Sequence, residues 1–198
     1  LKNEDAIVGQ YQFSLAPWSI AEMLAPNISG RPFPQNSRWV DSLAAADRMW
    51  YPSLYIGLVV VSLAATKFRL WGRDARSVWL SRVLIVFLLG AFGWYGLVWA
   101  WREIFGAAVV DGEAWAAPVG GVYWWMSVGL PKYFVFRYPA KLFVVANLAI
   151  CLLAGRSLSD LGKVNFGVTF KHIVWGVASL YTVALVASLG WGQDWVAS

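Results

Sequence analysis

The chain has 198 residues, of which 59% are hydrophobic and 14% charged, with 17% aromatic side chains and a formal net charge of +5. A soluble domain usually carries about 25% charged residues, so this chain has too little polar surface to clothe itself in water, and its mean hydropathy is +0.55. The 14 tryptophans fit a membrane boundary, where amphipathic rings collect. The basic surplus is distributed as a topology signal, which argues against a nucleic-acid partner.

Residues 1–12 carry no basic stretch followed by an apolar core, so they do not form a signal peptide. The chain opens on Leu1 and closes just past an apolar run, the pattern expected of an internal piece of a larger protein. Residues 1–50 are interrupted by Pro17, Pro26, Gly30, Pro32 and Pro34 and hold no run long enough to span a bilayer. They read as an extracytoplasmic loop segment, with a short amphipathic helix over Ser19–Ala25. Its polar groups Arg31, Asp41, Asp47 and Arg48 would lie outside the membrane, either as surface ion pairs and helix-end charges or, for a carboxylate, as a base acting on a lipid-linked substrate.

Residues 51–198 read as a transmembrane helical region. Four apolar runs, 51–68, 78–101, 138–155 and 172–191, predict four spans, since a spanning helix needs about 20 residues. Two of them open on Tyr-Pro, at Tyr51-Pro52 and Tyr138-Pro139. Residues 118–134 are aromatic but too short to cross, and they predict an interfacial or re-entrant helix. The fold class is therefore all-α and polytopic, with about four transmembrane helices, an outside N-terminal segment and that short extra helix.

Orientation follows from the loops. Lys67, Arg69, Arg73, Arg76 and Arg82 cluster between the first two runs, and Arg156, Lys163 and Lys171 follow the third. Glu103, Asp111 and Glu113 lie between the second and third. Basic loops stay in the cytoplasm, which places the N-terminal segment outside.

No phosphate-cradling loop, dinucleotide fingerprint, HExxH or CxxC is present, so no cofactor is implied and no metal ligands are assigned. Cys151 reads as a small apolar filler, His172 as an interfacial histidine, and Asn147 as a cross-helix hydrogen-bonding group. The strongest local pattern is Lys132 to Lys141, where Lys132, Arg137 and Lys141 bracket an aromatic stretch that includes Tyr138. Cations on the outer side break the positive-inside tendency. They read either as a site for an anionic group such as a lipid phosphate or as side chains snorkelling to headgroups.

The order Pro17-Trp18, Ala25-Pro-Asn-Ile-Ser-Gly-Arg31, Tyr51-Pro-Ser-Leu-Tyr-Ile-Gly57 and Phe136-Arg-Tyr-Pro-Ala-Lys141 resembles the YfhO-type family of large bacterial membrane proteins, which are similar to GT-C glycosyltransferases. The resemblance covers residues 14–156. It implies a multi-pass protein of the bacterial cytoplasmic (inner) membrane that acts on polyprenyl-phosphate-linked sugars at the outer face. Arg137 and Lys141 would neutralise the donor phosphate, with Tyr138 and Trp124-Trp125 against the prenyl chain or headgroup. In that superfamily the catalytic carboxylate usually lies in the first outside loop, upstream of this chain, so the catalytic residues here are unknown. A non-catalytic structural subunit of a membrane complex, or part of a lipid or solute transporter, remains the alternative, and the implied partners are membrane lipids and further transmembrane helices.

Overall fold

A computed structural model describes residues 9–11, 13–24, 26, 54–105, 116–133, 136, 138–160, 175 and 179. Among these the secondary structure is entirely helical. Five α-helices occur, α1 (Leu58–Lys67), α2 (Ala75–Ala91), α3 (Leu97–Phe105), α4 (Val122–Gly129) and α5 (Phe143–Ser159), with 3-10 turns at Pro17–Met23 and Pro139–Leu142.

The organising element is α5 with its 3-10 entry. Together they form a 21-residue helix, Pro139–Ser159, about 30 Å long and therefore matched to a hydrocarbon core of about 30 Å. Among the described residues it is the one helix long and apolar enough to cross a membrane. Pro139 starts it without loss, because a proline at the first position gives up a donor that had no partner.

α1 and α2 both pack against α5. The contact seam on α5 runs through Phe143, Ala146, Ile150, Leu153 and Ser157, all buried. Alternating steps of three and four residues keep one narrow stripe facing its neighbours, as in left-handed helix packing. The buried face mixes large and small residues: Phe143, Ile150 and Leu153 lie beside Ala146, Ala149, Ala154 and Ser157, while α1 buries Ser62, Leu63 and Ala64 and α2 buries Ser77, Val78, Leu80, Ser81, Gly90 and Ala91. Other large apolar side chains point the opposite way. Val144, Leu148, Leu152 and Leu158 of α5 are exposed, as are Val59, Trp79, Val86 and Leu89 of the flanking helices. Bulky apolar residues thus occupy the exposed faces of these helices as well as the buried ones.

The three helices have opposite ends of different character. At one end the α1–α2 connection meets the end of α5. Lys67 Nζ pairs with Asp160 at 2.5 Å, Thr66 and Ser157 share a hydrogen bond at 2.6 Å, and Arg156 donates to both Asp74 oxygens at 3.0 Å. These contacts make α1 and α5 parallel to each other and antiparallel to α2.

At the other end the N-terminal segment is stitched across the helix termini. Leu15 N donates to Ala91 O at 2.8 Å, Ala140 N to Phe13 O at 3.0 Å, and Ile56 N to Met23 O at 3.3 Å. Ser14 Oγ accepts from Trp94 N at 2.8 Å.

The helix boundaries depart from the apolar runs in informative ways. Run 78–101 is divided, because α2 stops at Ala91 and α3 starts at Leu97. Gly93 takes a φ of +48°, a conformation that only glycine adopts freely, and the chain turns there. Run 51–68 yields a helix from Leu58 only, since Gly57 has a φ of +102° and residues 56 and 57 are hydrogen-bonded to Met23 O. Residues 118–134 contain the eight-residue α4, and Ser19–Ala25 is replaced by the 3-10 turn Pro17–Met23. Run 172–191 lies outside the described residues apart from Trp175 and Ser179, whose Oγ donates to Trp175 O at 2.7 Å.

Candidate functional site

The end of the bundle opposite the Lys67–Asp160 contact gathers most of the described aromatic residues. Tyr11 packs edge-on against Tyr123 at 5.3 Å and Trp94 at 6.2 Å, and Tyr123 meets Tyr133 at 5.5 Å. Tyr123 is fully buried, and its hydroxyl donates to the carbonyl of Phe136. Tyr133 OH contacts Met126 Sδ at 3.5 Å. Burial pushes the phenols of Tyr11, Tyr123 and Tyr133 up, helped in Tyr123 by the neighbouring Tyr133. These hydroxyls stay protonated donors and do not serve as bases at neutral pH.

Beside this cluster runs a groove of about 310 Å³, whose walls include Pro17, Leu89, Phe92, Tyr95, Leu97 and Trp99. Trp18 and Trp99 pack on Tyr95 at 5.4 and 4.9 Å. The groove depends on Gly96, where an added Cβ would lie 2.4 Å from the carbonyl oxygen of Pro118.

Of the sequence-predicted lipid-phosphate residues, the structure brings Tyr138 and Lys141 together. Tyr138 stacks on Phe13 at 4.9 Å, and the Lys141 ammonium lies 4.3 Å from the centre of the Tyr138 ring. The one-turn spacing across the 3-10 segment makes the contact, with Lys141 N donating to Tyr138 O at 3.0 Å. Such a cation–ring contact at an exposed site contributes about 0.5–1 kcal/mol. It holds the ammonium without using its three N–H donors, so Lys141, itself exposed, can present a point charge to an anion.

Lys132 is exposed in the turn after α4, with a left-handed φ of 63°, and makes no hydrogen bond, ion pair or ring contact among the described residues. Arg137, Arg31, Asp41, Asp47 and Arg48 lie outside the described residues, as does His172.

No protein-family model matches the chain, and neither a curated protein nor a solved structure is similar to it.

Two features escaped the sequence reading. Glu22 is 5% exposed, a buried and engaged carboxylate at the aromatic end; its position beside the breakers Pro17 and Pro26 carried no sign of burial. The second is the polar clamp at the opposite end. Asp74 caps α2 and accepts from Ser77 Oγ at 2.7 Å while pairing with Arg156. The Ser77 hydrogen bond, with the Arg156 guanidinium behind it, holds the Asp74 carboxyl down at about 2.

In the same layer the Thr66–Ser157 bond does the cross-helix work expected of Asn147. Asn147 Oδ1 instead faces Cys151 Sγ at 3.8 Å, one turn further along its own helix. Cys151 is exposed and so does not fill a core gap. Among the described residues no group of three metal-ligating side chains occurs.

Proposed function

We propose that this chain is part of a polytopic membrane protein, related to GT-C-type glycosyltransferases, that holds a polyprenyl-phosphate-linked sugar at the outer face of the bacterial cytoplasmic membrane. The single observation that carries the reading is the Tyr138–Lys141 pair, an exposed ammonium oriented by an aromatic ring at the same end of the bundle as an apolar, aromatic-walled groove. An anionic phosphate beside a long apolar chain needs those two features together. The row of exposed bulky apolar residues on α5, Val144, Leu148, Leu152 and Leu158, supports the membrane placement. The motif Phe136 to Lys141 supports the family resemblance.

The role assigned is binding. Lys141, with Arg137 contributed from the adjoining segment, neutralises the phosphate, while the rings of the groove cover the first isoprene units. The catalytic carboxylate is not assigned.

The test is binding of a polyprenyl phosphate to the detergent-purified chain, wild type against Arg137→Ala/Lys141→Ala. A charge-assisted hydrogen bond contributes about 1.5–3 kcal/mol, so the double variant should bind at least about tenfold more weakly. Equal binding by both proteins would reduce these cations to headgroup anchors and favour a structural subunit.

A further inference from the structure

The end of the bundle that carries the polar clamp holds a second groove, away from the aromatic end. It has a volume of about 490 Å³ and is walled by Ala75, Arg76, Trp79, Leu80 and Arg156. Arg156 is fixed at its edge, because Asp74 takes Nη2 at 3.0 Å and Ser77 Oγ takes Nε at 3.3 Å. Arg76 is exposed and makes no hydrogen bond or ion pair among the described residues. Trp79 is 63% exposed and forms an apolar wall with Leu80.

The charge around the groove is one-sided. Lys67, Arg69, Arg73, Arg76, Arg82 and Arg156 share this end with two described carboxylates, Asp74 and Asp160. Both acids are already paired, with Arg156 and Lys67. Of the four other arginines, Arg76 lines the groove, and all four are without an acidic partner among the described residues.

We propose that this groove binds one anionic glycerophospholipid of the leaflet on the clamp side. The headgroup phosphate would lie against Arg76 and Arg156, and the acyl chains would run along Trp79 and Leu80. A basic recess between transmembrane helices suits an anionic headgroup, guanidinium groups suit its phosphate oxygens, and an indole at the headgroup level packs against glycerol and the first methylenes. The inference rests on the membrane placement proposed above and not on the sugar-donor reading, whose residues lie at the other end.

The test is native mass spectrometry of the full chain released from detergent, with dioleoyl phosphatidylglycerol or dioleoyl phosphatidylcholine as the probe. Wild type should retain one phosphatidylglycerol in preference to phosphatidylcholine. Arg76→Gln should weaken that binding about fivefold, the equivalent of about 1 kcal/mol for one surface cation. Arg76→Lys should keep most of it, and Arg73→Gln, outside the groove, should leave it close to wild type.

Equal losses in Arg76→Gln and Arg73→Gln would overturn the proposal in favour of a diffuse basic field. Displacement of the lipid by millimolar inorganic phosphate would overturn it in favour of a free-anion site. Binding of glycerophosphoglycerol, which has no acyl chain, as tightly as the two-chain lipid would also overturn it. Thermal midpoints without added lipid establish that the variants fold. Flotation with phosphatidylcholine vesicles reads the membrane placement separately, so failure of that reading is distinguishable from failure of the site.

Discussion

Gly93 is the position where one added methyl group should do most damage. It closes α2 with a φ of +48°, and a Cβ there would lie 2.4 Å from Ser14 Oγ and 2.6 Å from Pro139 Cβ and Cγ. A left-handed backbone costs an alanine about 1–2 kcal/mol, and forcing a methyl into filled space costs about 1–3 kcal/mol. Gly93→Ala should therefore destabilise by about 2–5 kcal/mol. Part of that loss falls on Ser14, which donates to Tyr11 O at 2.7 Å and accepts from Trp94 N at 2.8 Å. Once the methyl group displaces Ser14, removing the hydroxyl matters less. Ser14→Ala should then cost about 1–3 kcal/mol in the native background and clearly less beside Gly93→Ala. Gly155 supplies the opposite case: it is helical, and nothing lies within 4 Å of its added Cβ, so Gly155→Ala should gain about 0.5–1 kcal/mol. Denaturant-induced unfolding in mixed micelles measures all four proteins. If Gly93→Ala unfolded at the same denaturant concentration as Gly155→Ala, the close approach of α2, Ser14 and Pro139 would be refuted.

Further expectations attach to the two ends and the seam between them. Ala146→Leu, at a fully buried seam position, should destabilise by about 1–3 kcal/mol, while Val144→Leu on the exposed face should stay within about 0.5 kcal/mol; the same unfolding assay reads both. A double-mutant cycle of Thr66→Val and Ser157→Ala should return a coupling of about 0.6 kcal/mol, the usual size for a cross-helix hydrogen bond in a membrane protein, and zero coupling would remove that bond. Asp74 is held at about 2, below its ordinary 3.8, so its contribution is complete above the ordinary value and disappears as the pH falls through about 2. Asp74→Asn should flatten the stability profile in that acidic window and change its shape little at neutral pH.

The sequence made α5 legible because its apolar content alone decides it: 138–155 is continuous, opens on proline and carries no charge past Lys141. It made the basic end legible as well, since arginines are counted without knowing their geometry. The break in run 78–101 was harder to read. Phe92–Gly96 carries no charge or proline, and glycines are common in membrane helices, so Gly90, Gly93 and Gly96 did not announce a turn. What ends the helix is tertiary: Ser14 takes the Trp94 amide and the Pro118 carbonyl crowds Gly96, both contacts over long sequence distances. At the candidate site the Tyr138–Lys141 pair follows from local spacing, whereas the groove wall combines Pro17, Leu89 and Trp99, which no single motif joins.

The two ends of the bundle divide the work that its middle cannot do. Along the α5 seam the buried side chains are apolar apart from Ser157, which fixes the packing of the helices but offers little to recognise a ligand. On the proposed membrane placement, recognition would come from the ends, where polar side chains would retain access to water and headgroups. At the clamp end the described acids hold Lys67 and Arg156, leaving a surplus of cations, with Trp79 beside Arg76 and Trp71 beside Arg82. At the aromatic end Lys141 is set on a ring, at the same end of the bundle as an apolar groove. On the two proposals above, a phosphate on a single polyprenyl chain belongs to the second end and a two-chain anionic leaflet lipid to the first. Loss of Lys141 should therefore affect polyprenyl phosphate and spare phosphatidylglycerol, while loss of Arg76 should do the reverse. Binding curves for both lipids on both variants test that crossover, and a common loss in the two variants would mean that the ends do not act separately.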